Sequence, residues 1–217
     1  MTKQERIDNA IASWNQTRTK PSDLQQLIQK GNHLVMTKSD EQILSPFIEE
    51  RIFLRMGIEN GKIIFILVPD KLEKKEWGDM SQEEVDAIQI KEYKSAYDIG
   101  NPDFIDNQDD GVDITVKEAL KRHYRWRMFL SSFLETEVDH PEGLFTEFRM
   151  PYASIKEKLQ NDNLDHLLFS FGLTPDDEGA SVSGFYADLV AWSVMKENND
   201  IGQPLNTSLP CPPNCKK

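Results

Sequence analysis

The stretch DNQDDGVDITVK, residues 106–117, carries carboxylates at spacings that suit a calcium-binding loop. Such a twelve-residue loop places oxygen ligands at positions one, three and five, a glycine at six and a bidentate glutamate at twelve. With Gly111 at the sixth position, Asp106 and Asp110 fall on positions one and five. Three residues break the pattern. Gln108 stands at three, Asp113 replaces the usual apolar residue at eight, and Lys117 stands where the glutamate should be, with Glu118 one residue late. The segment therefore reads as a solvated acidic loop. No metal is expected, and Asp106 and Asp110 are the residues a metal would use there. TPDDEG, after Leu173, reads as a turn.

A second pair of potential ligands ends the chain. In PCPPNC, three residues separate Cys211 from Cys215, and two thiols supply half of the four ligands of a closed zinc site. A local disulfide, a half-site shared across a dimer and two free thiols all remain open, and a reducing cytosol favours the last. The prolines imply an extended tail. Together with ITVKEA opening a helix and a strand that ends in a glycine and an apolar residue, this tail is similar to a group of small acidic bacterial proteins. The resemblance covers parts of the second half and the tail, and it implies no activity.

KRHYRWR, residues 121–127, interleaves Lys121, Arg122, His123, Arg125 and Arg127 with Tyr124 and Trp126. Aromatic and basic residues together can hold single-stranded nucleic acid. On a helix these charges spread around the cylinder, with acids just upstream, so an internally salt-bridged face is expected instead. His33, His123, His140 and His166 have no Cys or carboxylate at metal or triad spacing, and Asp139-His140-Pro141-Glu142 reads as a turn. No nucleophile elbow, phosphate-cradling glycine loop or zinc-protease helix motif occurs. Trp14 and Trp126 are expected in the core, while Trp77, in KKEWGDMS, is expected to be partly exposed and able to anchor a partner.

The elements that would position these residues follow from patterning. TKQERIDNAIASWNQTR reads as a helix with an apolar face of Ile7, Ala10, Ile11 and Trp14, and with Thr2 and Glu5 at capping-box spacing. PSDLQQLIQKG is a short helix that starts near Pro21 and stops at Gly31, and NHLVMT is extended. Ser39 is expected to cap DEQILSPFIEE, which Pro46 should bend or end. RIFLRMGI and KIIFILV flank Asn60-Gly61, a strong hairpin signal, and the second strand is apolar on both faces. SQEEVDAIQIKEYKSAY could hold a helix capped by Ser81. Thr115 and Glu118 open a long helix ending near Val138. GLFTEFRMPY is extended, Ser154 is expected to cap IKEKLQND, and HLLFSFGL reads as a strand; FYADLVAWSV reads as a strand too, with a short helix as the alternative because Ala187, Leu189, Ala191 and Met195 carry no strong strand preference.

Placing Gly57 on Gly172, an offset of 115, brings Ser39 onto Ser154, Leu44 onto Leu159, Ile52 onto Leu167, Leu54 onto Phe169, Met56 onto Phe171 and Ile58 onto Leu173. No gap is needed from His33 to Ile58. The opening helices pair at a shorter offset of 109, Ala10 with Ala119 and Arg18 with Arg127. The expected fold is α+β: two tandem, duplicated helix-plus-hairpin units forming an antiparallel sheet with helices packed on it. The two hairpins would share a four-stranded sheet around a pseudo-dyad, with a ligand groove on the axis.

The expected units are residues 1–70, an acidic linker or long loop at 71–113, a second unit at 114–200 and a Pro/Cys tail at 201–217. Residues 71–113 hold five Lys or Arg and thirteen Asp or Glu, a net of −8 out of −12 for the chain. That charge repels a phosphate backbone or an anionic membrane, so neither is an expected partner. No window is apolar enough for a membrane span, and no secretory leader is evident. The sequence thus points to a cytoplasmic, non-enzymatic binding or protein-interaction module without a cofactor, with a basic protein as a possible partner. The alternatives are an enzyme whose site assembles only in three dimensions, and a metal-binding module using the acidic loop or the cysteines. Oligomeric state is open.

Overall fold

The computed structural model describes residues 1–94, 114–140, 143–176, 179, 181–196, 201–206 and 209–211. The chain is α+β. Its helices are α1 (Lys3–Thr17), α2 (Pro21–Ile28), α3 (Lys38–Leu44), α4 (Gln82–Ala87), α5 (Val116–Glu137) and α6 (Tyr152–Leu159). Its strands are β1 (His33–Thr37), β2 (Arg51–Glu59), β3 (Lys62–Pro69), β4 (Gln89–Glu92), β5 (Glu147–Pro151), β6 (Leu164–Pro175), β7 (Phe185–Met195), β8 (Ile201–Asn206) and β9 (Leu209–Cys211). They form two antiparallel sheets, ordered β1-β6-β7-β8 and β4-β3-β2-β5-β9.

Alternation along the strands explains the layering. Ile52, Leu54 and Met56 of β2 and Ile63, Phe65 and Leu67 of β3 share one core cluster with Leu167, Phe169, Phe171 and Leu173 of β6 and Leu189 of β7. Residues two apart on a strand share a face, so the two sheets press these faces together. Phe171 sits at the junction. Its ring centroid lies 5.9 Å from Phe65 and 5.8 Å from Phe148 on the other sheet, and 4.8 Å from the stacked Trp126 of α5. The opposite faces take the helices. Ile7 and Ala10 of α1 pack with Ile64, Ile66 and Val68, while Ala119 and Leu120 of α5 pack with Leu168, Val190, Trp192 and Val194. The Trp192 indole donates to Ser170 Oγ at 2.9 Å, which satisfies its polar edge inside that layer.

Local chemistry sets the ends of these elements. Thr2 and Glu5 close a reciprocal cap on α1, with Thr2 N donating to the Glu5 carboxylate at 2.7 Å. Asn60 and Gly61 take φ values of 51° and 69°, which a type I′ hairpin requires. Pro46 ends α3, and one turn of tighter helix, Ser45–Phe47, follows. Two glycines let the helices approach their sheets. A Cβ on Gly57 would lie 3.0 Å from Ala10 Cβ, and one on Gly172 would lie 2.9 Å from Arg122 Cβ.

The strand pairing is reciprocal. β1 of the first half pairs with β6 of the second, and β5 of the second half pairs with β2 of the first. Each sheet therefore holds one half's hairpin plus the opening strand of the other half. This corrects the expectation that both hairpins join one four-stranded sheet. Like-placed elements lie at other offsets than the expected one. Leu34 and Met36 of β1 are buried as Phe148 and Met150 of β5 are, 114 residues apart, and α6 has eight residues against seven in α3. The two glycine contacts pair Ala10 with Arg122, an offset of 112 rather than 109, and the same offset lays Trp14 on Trp126.

Other expectations shift as well. Thr37, not Ser39, caps α3: its side chain accepts from Asp40 N at 3.3 Å and the Asp40 carboxylate bonds back at 2.8 Å. α6 begins at Tyr152, directly after Pro151, so Ser154 lies inside the helix. The region expected as a linker contributes structure: Ser81 caps α4, and β4 extends the sheet beside β3. The expected tail is also engaged, since β8 pairs with β7 and β9 with β5. No helix among the described residues is long and apolar enough to cross a membrane.

Candidate functional site

Between β3 and β4 the chain leaves the sheet at Asp70 and returns at Gln89. Between β7 and β8, the matching place in the other half, only five residues intervene. The first-half excursion is anchored at its start by Asp70. Its carboxylate accepts backbone N–H bonds from Glu49 (2.8 Å), Glu50 (2.7 Å), Arg51 (3.0 Å) and Lys71 (3.0 Å). Burial alone would push the Asp70 carboxyl up, but the four donors together hold it below the usual carboxylate range. At the far end Ser81 and Glu84 cap α4, and Lys3 Nζ reaches from α1 to the Val85 carbonyl at 2.8 Å. Burial lowers the Lys3 pKa, with the nearby Asp86 acting against it.

Anchored at both ends, the excursion folds against α1 and the outer face of β3. Leu72, Ala87 and Ile88 pack there with Ile7, Ile64, Ile66 and Val68, and Trp77, Met80 and Ile11 pack around them. The packing leaves a cleft of about 60 Å³ lined by Ile7, Ile11, Val68, Leu72, Trp77 and Met80. One water needs roughly 10–15 Å³ by this measure, so the space can take an aliphatic group. Its charged edge consists of Asp8, Arg55, Glu73 and Lys75. Arg55 is held between Glu73 (3.2 Å) and Glu147 (3.5 Å), and Glu147 also meets Arg149 (3.2 Å). Lys75 pairs with Glu84. Asp8, Glu76, Asp79 and Glu83, on α1 and along the excursion, are exposed.

A broad depression of about 670 Å³ lies where the turn after α3 meets the start of α6. Glu49, Glu50, Tyr152 and Lys156 line it. The Tyr152 hydroxyl donates to the Glu41 carboxylate, and burial and then that bond push its pKa up. The depression is open and mixes polar with apolar lining, whereas the α1 cleft is narrow and walled by apolar side chains.

The second half carries a buried polar cluster at the matching place. Gly57 faces Ile64 across the first hairpin, and Gly172 faces Asp188 across the second. Ile64 packs with Ala10, but Asp188, 1% exposed, meets Arg122 Nη1 at 2.6 Å and accepts from Thr174 Oγ1 at 3.0 Å. Glu118 joins Arg122 (3.4 Å) and Arg125 (3.2 Å). Burial pushes the Asp188 carboxyl up despite the opposing pull of Arg122. The expected salt-bridged face of KRHYRWR is thus present at Arg122 and Arg125. Asp188 was the missed member, and its signal was an acid within the apolar run FYADLVAWSV.

Of the residues singled out from the sequence, Asp106, Asp110 and Cys215 lie outside the described residues, and Cys211 lies in β9 opposite Glu147. The histidines are dispersed. His123 Nδ1 lies 3.3 Å from the Phe171 carbonyl oxygen, and His166 lies 2.7 Å from Asp165. His33 is buried, and burial, with Lys94 and His166 adding to it, lowers its pKa to about 4. Among the described residues, no group of three or more His, Cys, Asp or Glu is placed to hold a metal. Trp77 is partly exposed, as expected, and it is the expected anchor that falls in the cleft. No protein-family model matches the chain, and neither a curated protein nor a solved structure matches it.

Proposed function

We propose that the chain is a protein-interaction module that seats one apolar side chain of a basic partner in the cleft between α1 and the Asp70–Ile88 excursion. The observation that carries this reading is the cleft itself. It is an apolar-walled space built by a segment that the other half lacks, and such excursions on a rigid scaffold are where binding residues concentrate. Exposed carboxylates at Asp8, Glu76, Asp79 and Glu83 and a net charge of −12 favour a cationic partner. The two halves are, in this reading, diverged copies of one unit. One copy gained the excursion, and the other acquired the Arg122–Asp188 pair.

Selection of a random peptide library on the immobilised chain tests the proposal. Enriched peptides should carry Lys or Arg around one Leu, Ile or Met, and their association should slow as salt rises, because screening acts over about 8 Å at physiological ionic strength. Met80→Glu, which puts a charge into the cleft wall, should abolish their binding while circular dichroism stays native. Enrichment of acidic peptides, or binding indifferent to Met80→Glu, refutes the assignment.

A further inference from the structure

α5 presents a second surface, independent of the cleft. Lys117, Lys121, Tyr124, Met128, Ser131 and Glu135 follow one another at intervals of four, three, four, three and four residues. That spacing draws a single straight stripe along a helix. The stripe points away from the core: Tyr124 is 51% and Met128 59% exposed, Lys117, Lys121 and Glu135 are exposed, and Ser131 is partly so. The two large apolar side chains stand at its centre, two lysines at its N-terminal end and a carboxylate at its C-terminal end. Phe129, 46% exposed, flanks the centre and stacks on Phe185 with ring centroids 6.1 Å apart.

The stripe is complementary to its own reverse. Turned end for end about the midpoint of Tyr124 and Met128, it places Lys117 level with Glu135, Lys121 level with Ser131, and Tyr124 level with Met128. We propose that α5 is a self-association surface on which a second copy of this chain docks with its α5 antiparallel. Its centre would be Tyr124 against Met128 of the second copy, and both ends would be closed by Lys117–Glu135 pairs. The antiparallel arrangement also settles the charge problem. Along the helix axes the two Lys117 lie about 27 Å apart and the two Lys121 about 15 Å apart, from the rise of 1.5 Å per residue, both beyond the screening length of about 8 Å. The opposed helix dipoles add to the attraction. A stripe with a two-residue apolar centre buries less than the roughly 1,200 Å² of a standard interface, so the dimer is weak and concentration-dependent.

Sedimentation of the full chain from about 1 μM to about 1 mM, the range in which weak interfaces titrate, is the test. The weight-average mass should climb from that of one chain towards two. Lys117→Glu alone and Glu135→Lys alone should each weaken association at least tenfold, because each creates two like-charge contacts per dimer. An equimolar mixture of the two variants, and the doubly reversed chain, should regain it. All of these residues face solvent or its edge, so circular dichroism should be unchanged. A mass that stays at one chain throughout overturns the proposal. Undiminished association of the Lys117→Glu chain overturns it too, and so does failure of the mixture to recover. None of these results touches the cleft, whose own test is Met80→Glu.

Discussion

Arg122→Met should be strongly destabilising. The side chain holds an Asp188 carboxylate that is 1% exposed, at 2.6 Å, and its loss leaves that carboxylate with the Thr174 hydroxyl and the Leu189 backbone N–H as partners. Removing one partner of a buried ion pair costs about 3–5 kcal/mol. The reverse change, Asp188→Leu, should cost less. Arg122 is 10% exposed at its side chain and retains Glu118 at 3.4 Å, so about 2 kcal/mol is expected. The double variant should recover to within about 1 kcal/mol of the parent, since an apolar pair of similar volume can replace a buried ion pair. The other half supports this: Ala10 and Ile64 occupy the matching places and pack without charge. Urea unfolding of the four proteins, followed by fluorescence and circular dichroism to check two-state behaviour, yields the coupling energy. pH adds a second axis. A carboxyl whose folded pKa is raised makes stability fall as pH rises from its unfolded value towards its folded value. Asp188 therefore costs stability above that window, and the deficit of Arg122→Met should shrink on acidification. Strictly additive losses, with the double variant as weak as the two singles combined, would refute the account.

Three further outcomes follow from the same geometry. His33, with a folded pKa of about 4 against about 6.5 unfolded, contributes stability that is complete above pH 6.5 and lost as pH falls towards 4; the full loss is at most about 3.5 kcal/mol at about 1.4 kcal/mol per pH unit, and a melting profile of His33→Gln without that acid-side slope checks it. Gly57→Ala and Gly172→Ala should each destabilise by about 1–3 kcal/mol in urea titrations, because the added methyl meets Ala10 at 3.0 Å or Arg122 at 2.9 Å. Thr37→Ala should cost about 1 kcal/mol by loss of the α3 cap whereas Ser39→Ala should cost almost nothing, a contrast that thermal melts of the pair resolve.

The parts of the fold that depend on neighbours in sequence were legible. The Thr2–Glu5 cap, the Asn60-Gly61 turn, the break at Pro46 and the two-faced burial of β3 all follow from spacings within a few residues. Thr37 and Ser39 show the limit. Both have hydroxyls suited to capping, and the choice fell to the residue that ends β1, whose extended backbone leaves its hydroxyl facing Asp40 N. Strand partners were not legible, because the alternation that fixes which side of β2 is buried is satisfied equally by β6 or β5 as its neighbour. The cleft lay beyond reach for the same reason. Trp77 stands in a polar segment, and nothing local says that Asp70 and Lys3 pin that segment across α1. Asp188 was visible as an anomaly, but its partner Arg122 is set by the close approach at Gly172.

The exchange of opening strands has a consequence for how the molecule must be made. A ribosome delivers β1 and the β2–β3 hairpin long before β6 and β5 exist, yet β1 pairs along its length with β6 and within the first half has one bridge, His33 to Lys94, while β5 pairs along the outer edge of β2. The nascent first half therefore carries a strand held by that one bridge and an open hairpin edge flanked by the apolar faces of Leu34, Met36, Ile52 and Leu54. Open edges of this kind template aggregation. Neither sheet can be completed by one half of the chain alone, so both close across long chain separations. Folding of this chain should accordingly be slow for its size and sensitive to chaperone supply during synthesis.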